Sequence, residues 1–231
     1  MYNNKKILCI IPARGGSKRL PGKNSKPLLG KPLIGYAIAA AKESKYVDTV
    51  VVSTDDEAIA AVARNCGAEV PFMRPAELAT DTARTIPVLQ HAVSYYESKG
   101  EVFDLIVLIQ PTSPGVLAED VDAAIEKLLQ SGANSCVSIC EITDRPELMY
   151  RLADDGHITP YVGGSEARSQ DMPPLYRLNG AVYVTPRDTL MKENKIYDDQ
   201  KGTAILMPRE RSIDIDTPTD FALAETLMRG A

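Results

Sequence analysis

The first forty-two residues contain no Asp or Glu, yet they hold nine Lys and Arg. The rest of the chain carries the opposite excess, so a net charge of −5 conceals a basic opening of +9 and a remainder of −14. A globally acidic chain excludes nucleic-acid binding as a general property, whereas the local excess of cations points to one anionic small-molecule site. Long apolar runs are missing as well. None approaches the ~18 residues of a membrane span, and the opening residues lack the apolar core and small-residue cleavage site of a signal peptide, which excludes a membrane protein and predicts a soluble one. The four cysteines, at 9, 66, 136 and 140, form no CxxC pair and have no histidine nearby, which excludes a zinc site and predicts reduced, buried thiols in the cytoplasm. Internal repeats and low-complexity tracts are absent. The two histidines, His91 and His157, have no plausible catalytic partners and are expected to be structural or exposed.

What is present is a βα rhythm. Ile7 to Ile11 reads as a buried strand, as do Thr49 to Ser53, Leu105 to Ile109, Ser135 to Ile142, Ala181 to Val184 and Ala204 to Met207, with a shorter one near Glu69 to Phe72. Helices are predicted over Glu57–Asn65, Thr85–Ser98, Ala118–Gln130 and Pro218–Arg229. The first opens on Thr54-Asp55-Asp56-Glu57, an N-cap with an acidic first turn. Strands apolar on both faces, alternating with helices, predict an α/β fold. Its sheet is mostly parallel, with helices on both faces and ligands at the carboxyl ends of the strands. A length of 231 residues fits one such domain. The rhythm breaks over about 143–178, too long for a casual connection, which is expected to be a lid or a dimerisation arm. Tyr95, Tyr96, Tyr150, Tyr161 and Tyr176 are expected to pack in the core, line a sugar pocket or meet a second subunit.

The cations concentrate in Pro12-Ala13-Arg14-Gly15-Gly16-Ser17-Lys18-Arg19-Leu20-Pro21-Gly22-Lys23-Asn24, directly after the first strand. Glycines let backbone N–H groups approach phosphate oxygens, and Arg and Lys add forked and point-charge donors, so a nucleoside triphosphate is the expected guest. The spacing is neither that of a Walker A loop nor of the GxGxxG dinucleotide fingerprint. Near the other end, Ile213-Asp214-Ile215-Asp216 alternates so that both carboxylates share one face of an extended segment. One or two carboxylates with waters and phosphates is a Mg²⁺ donor set, although Asp216-Thr217-Pro218 also reads as a helix start.

The run IPARGGSKRLPGKN at 11–24 resembles the signature of the acylneuraminate cytidylyltransferase family, which comprises the CMP-sialic acid synthetases and relatives acting on other nine-carbon ulosonic acids. STDDEAIA at 53–60, RPAELATD at 74–81, QPTSP at 110–114, LNGAVYV at 178–184 and SIDIDTPTD at 212–220 resemble family segments in the same order. The resemblance implies a Rossmann-like, Mg²⁺-dependent enzyme, a homodimer whose insertion reaches the partner's sugar site. It implies transfer of CMP from CTP to a sialic, legionaminic or pseudaminic acid. Arg14 and Lys23 are implied to hold the triphosphate, and Asn24 the nucleotide or its phosphates. Ala13, Gly15, Gly16 and Ser17 stand beside them in the nucleotide site, as do Arg74 and Thr85. Ala83 stands where relatives have a further hydroxyl, and Arg74 also reads as a surface partner of Glu77.

Gln110 is assigned to the sugar acid or nucleotide, and Gly115-Val116 follows where many relatives have Leu-Arg. In the insertion Arg168, with Ser169 as the alternative counterpart, is implied as the active-site arginine, followed by Arg177, Asn179 and Gly180 around the sugar carboxylate. Asp214 and Asp216 are implied as Mg²⁺ ligands. Rival readings are an enzyme activating the eight-carbon acid Kdo, a sugar-1-phosphate nucleotidyltransferase and a non-catalytic nucleotide-binding regulator.

Overall fold

Side chains along the central strands alternate between two apolar layers, and that alternation determines the architecture. The structure, a computed structural model, describes residues 3–163 and 173–230. Strand β1 (Ile7–Pro12) leads through the basic loop to a short hairpin, β2 (Pro27–Leu28) and β3 (Lys31–Pro32), and then to α1 (Leu33–Glu43). Next come β4 (Thr49–Ser53), α2 (Glu57–Asn65), α3 (Thr85–Ser98), β5 (Leu105–Ile109), α4 (Ala118–Ser131) and β6 (Ser135–Glu141). A second hairpin, β7 (Tyr150–Leu152) and β8 (Ile158–Pro160), precedes β9 (Tyr176–Pro186), α5 (Arg187–Met191), β10 (Gly202–Leu206) and α6 (Pro218–Arg229). No helix among the described residues is long and apolar enough to cross a membrane.

Six strands form one sheet in the order β10-β6-β9-β5-β1-β4. β1 pairs in parallel with β4 and β5, and β10 with β6, while β9 runs antiparallel between β5 and β6. Ile7, Cys9 and Ile11 join α1, α2 and α4 in one layer, whereas Leu8 and Ile10 join α3 and Phe103 in the other. Burial on both faces is why these strands read as continuous apolar runs. The carboxyl ends of β1 and β5 therefore stand side by side, and the basic loop and the Gln110 loop leave the sheet at the same edge.

A third, smaller cluster positions the site. Leu20 from the basic loop, Leu28, Leu33, Ile215, Phe221 and Ala224 pack together. The side of the 213–216 segment opposite its carboxylates is thus anchored against the loop carrying the cations. Thr217 and Asp220 cap α6 reciprocally, with Thr217 Oγ1 accepting from Asp220 N and Asp220 accepting from Thr217 N.

The structure differs from the sequence reading at four points. The strand near Glu69 to Phe72 reduces to a single parallel bridge between Val51 and Glu69, because Pro71 supplies no N–H to continue the ladder. Helix α1 is not announced by periodicity, since seven of its eleven residues are buried and an apolar run wetted on so little of its surface shows no 3.6-residue contrast. The break at 143–178 is shorter than its sequence suggests, because Tyr176 already opens β9. Its tyrosines are also not core residues: Tyr150, Tyr161 and Tyr176 are exposed, whereas Tyr96 is buried and donates to Glu69 at 2.6 Å. All four cysteines are unpaired, three of them buried. His91 packs edge-on against Phe72, and His157 is exposed beside Asp155.

Candidate active site

One cleft of about 590 Å³ receives side chains from four separated segments: Arg14 to Asn24, Arg74 to Val88, Gln110 to Thr112, and Asp214 with Asp216. β1, β5 and the α3 entry deliver three of them to the carboxyl edge of the sheet, and the small apolar cluster around Ile215 delivers the fourth. Of the residues singled out by sequence, Arg14, Ser17, Lys23, Asn24, Arg74, Thr85, Gln110, Asp214 and Asp216 line this cleft. The amino end of α3, which has no side-chain cap, borders it through Thr85 and adds partial positive charge.

The cations of the basic loop are all engaged. Lys23 donates to Asp216 Oδ1 at 2.8 Å and to the Ile215 carbonyl at 2.9 Å, and Arg19 donates to Asp216 Oδ2 at 2.6 Å. Arg14 donates to Asp81 Oδ1 at 2.9 Å and to the Thr80 carbonyl at 3.0 Å, and Lys18 pairs with the other Asp81 oxygen. Lys18 and Arg14 together hold the Asp81 carboxyl below the ordinary range. Sequence reading had no means of finding Asp81 as a partner of these cations, since 67 residues separate it from Arg14.

Asp214 behaves differently from Asp216. It has no ion-pair partner among the described residues and opens onto the cleft, yet enough protein surrounds it that desolvation pushes its carboxyl up. The neighbouring Asp216 charge adds to this, while Thr112 and Lys23 oppose it. The Thr112 hydroxyl is close enough to exert that pull, but no hydrogen bond of sound geometry satisfies it, and it is an orphaned polar atom in the cleft wall. No cluster of three or more His, Cys, Asp or Glu in metal-binding range occurs among the described residues. The available donor set is two carboxylates, which suits Mg²⁺ rather than zinc.

Arg74 is buried, not a surface partner of Glu77. Its Nε donates to Ser53 Oγ at 3.1 Å and its Nη2 to the Ser53 carbonyl, and burial lowers its guanidinium to about 10. Asn24 is 3% exposed. Its Nδ2 donates to the Arg14 carbonyl at 3.1 Å, leaving Oδ1 buried without a partner. The unpartnered Oδ1 can accept from a hydroxyl or amino group of a nucleoside, and Nδ2 keeps a second hydrogen able to donate.

Other residues singled out by sequence stand outside the cleft wall. Ala13 is buried, and its N–H donates to the Ser53 carbonyl, extending the β1–β4 ladder. The Gly15 N–H donates to Asp55 at 3.1 Å, and a Cβ there would lie 2.6 Å from Asp56 Oδ2. Gly15 is thus glycine because the N-cap of α2 presses on it. Gly16 has open space around it. Asn179 is fully occupied, accepting from Ser138 Oγ at 2.6 Å and donating to Ser212 Oγ at 2.9 Å, two residues before Asp214. Gly180 has φ 77°, a left-handed backbone conformation that favours glycine, and a Cβ there would sit 3.6 Å from the Gln110 amide, an ordinary contact. Arg177 is exposed and, among the described residues, donates to the Ser212 carbonyl at 3.5 Å. Arg168 and Ser169 lie outside the described residues.

A family model described as cytidylyltransferase matches residues 8–230. The chain is 38% identical over 224 residues to a CMP-N,N'-diacetyllegionaminic acid synthase of Legionella pneumophila, with 96% of each chain covered. It is 34% identical over 225 residues to a pseudaminic acid cytidylyltransferase of Campylobacter jejuni, with 97% of each covered. In three dimensions it resembles a CMP:2-keto-3-deoxy-manno-octonic acid synthetase solved with CTP. The TM-score is 0.73 at 18% identity, over 98% of this chain and 99% of that one, a likeness of fold alone.

Proposed function

The chain belongs to the cytidylyltransferase family, and from that premise we propose that it transfers CMP from CTP to the anomeric hydroxyl of a nine-carbon 2-keto sugar acid of the sialic, legionaminic or pseudaminic type. The observation that supports this most strongly is that the cation-rich loop and the Asp214–Asp216 segment face one cleft. The hydroxyl oxygen bonds to the α-phosphorus, the bond from that phosphorus to the bridging oxygen breaks, pyrophosphate leaves, and the hydroxyl proton passes to solvent. Negative charge accumulates on phosphate oxygens throughout, so fixed cations around them supply the main stabilisation.

Arg14 and Lys23 hold the polyphosphate, with Lys18, Arg19 and the amino end of α3 beside them. As phosphate oxygens arrive, Lys23 and Arg19 turn from Asp216 to them. Asp216, so released, would hold Mg²⁺ together with Asp214. When bound there, Mg²⁺ neutralises phosphate charge and lowers the pKa of an oxygen it contacts. Asn24 accepts a hydrogen bond from the nucleoside, Arg74 and Thr85 shape its pocket, and Gln110 orients the sugar acid. An arginine of the insertion, Arg168, pairs with the sugar carboxylate in the forked geometry that suits it, with Arg177 and Gly180 bordering that end.

Incubation with CTP, MgCl₂ and a panel of sugar acids tests the reading. Pyrophosphate is expected only when a nine-carbon acid is present. Release with the eight-carbon acid alone would move the chain to the rival activity, and tight CTP binding without turnover on any acid would make it a regulator.

Among the described residues the β7–β8 hairpin pairs only with itself in the sheet pattern, and it and the turn before it expose Leu148, Tyr150, Leu152, Ile158 and Tyr161, with Leu152 at 74% exposure. A two-stranded hairpin this apolar is marginal alone in water. A second copy of the chain covers it in our reading, giving a homodimer in which the insertion borders the partner's sugar site. Light scattering is expected to give twice the 25.1 kDa chain mass, and a mass of one chain at micromolar concentration would remove the dimer. The unpaired cysteines suit a reducing cytoplasm.

A further inference from the structure

The cleft itself contributes carboxylates where the polyphosphate is expected. Two carboxylates divide their oxygens among four cations: Asp216 between Lys23 and Arg19, and Asp81 between Arg14 and Lys18. Asp216 has a further role in the reading above, as a metal ligand. Asp81 has none. It stands in the loop before α3, lines the cleft, and offers one oxygen to each of two cations, much as two non-bridging phosphate oxygens do.

We propose that Asp81 is an internal counter-anion of the cradle, holding Arg14 and Lys18 between turnovers and competing with the polyphosphate for them. Asp81 is 42% exposed, Arg14 35% and Lys18 79%. Solvent-screened pairs of this kind are individually weak and readily exchanged. A single carboxylate charge loses easily to a triphosphate but competes better with pyrophosphate, which has fewer charges and no nucleoside contacts. Asp81 therefore preserves the arrangement of the empty cradle and favours release of the product after transfer. Asp81 touches neither substrate nor metal in this account and acts only through the two cations it holds.

This inference rests on the triphosphate site proposed above, and one titration separates the two. The full-length protein and its Asp81→Asn and Asp81→Glu variants are titrated calorimetrically with inorganic pyrophosphate and with CTP, at low salt and at about 0.5 M salt. Asp81→Asn is expected to bind pyrophosphate about three- to tenfold more tightly at low salt, with the gap closing as salt screens exposed charges. Asp81→Glu retains the charge and is expected to stay within about twofold of the unmodified protein. In turnover, Asp81→Asn is expected to lower KM for CTP and kcat together, as slower product release requires; a general structural defect would not tighten binding. Equal or weaker pyrophosphate binding by Asp81→Asn overturns the competitor role. Failure of the unmodified protein to bind either ligand overturns the triphosphate site itself, and this inference with it.

Discussion

Asp214→Asn is expected to lower kcat about 10²- to 10³-fold, the scale of losing one charged group that acts on developing transition-state charge. Asn has nearly the same volume, so the small apolar cluster that seats Ile215 is unaffected. Of the two aspartates, Asp214 is the one not already matched by cations, since Lys23 and Arg19 occupy both oxygens of Asp216. Asp214 is exposed to the cleft, yet the protein around it pushes its carboxyl up, so a positive charge placed beside it is stabilising there. The expected signature is intact CTP binding, measured by calorimetry, with slow pyrophosphate release and a higher magnesium requirement. Turnover within about threefold of the unmodified enzyme would remove Asp214 from the site chemistry.

The second large effect comes from Gly115→Ala, a residue that touches nothing in the cleft. A Cβ at position 115 would lie 2.3 Å from the Arg211 carbonyl oxygen and 2.9 Å from the Arg211 C and Cα atoms. All three are backbone atoms, so no side-chain rotation relieves the clash and the 209–211 turn must move. That turn is held by Arg211, which donates to the Gly115 carbonyl at 3.1 Å and to both oxygens of Asp120. Three residues further on is Asp214, and Ile215 N donates to the Thr112 carbonyl at 2.8 Å. Overpacking of this type costs about 1–3 kcal/mol, or roughly 3–10 °C in Tm for a domain of this size. Because the displaced turn leads directly into the Asp214 segment, kcat is expected to fall by more than tenfold even at temperatures where the variant is folded. Unchanged melting and turnover would show that the turn accommodates the methyl group and does not set the aspartate position.

Arg211, from a distant turn, packs its own backbone against position 115 and supplies a guanidinium to Asp120. Sequence spacing gives no sign of this, because 91 residues separate the two partners.

The elements governed by local patterns were legible in the chain itself. Helices 57–65, 85–98 and 218–229 begin and end where the sequence places them. The first and last carry side-chain caps, Asp56 on the N–H groups of Ala58 and Ile59, and Thr217 with Asp220. The two-sided apolar strands announced a buried, mostly parallel sheet, and the cation-rich loop and alternating aspartates announced an anion site and a carboxylate pair. The sequence by itself therefore determined the α/β class and the chemical character of the site, because capping, alternation and charge depend on neighbours a few residues away. Only the tertiary structure decided that Asp81 and Asp216 hold the four cations, that Arg74 is buried under Ser53, that Asn179 braces Ser212, and that Gly15 makes room for a helix cap. Each of these depends on a distance between residues 21 to 197 positions apart, fixed by how the sheet edges and the Leu20–Ile215 cluster pack rather than by any local preference of the chain.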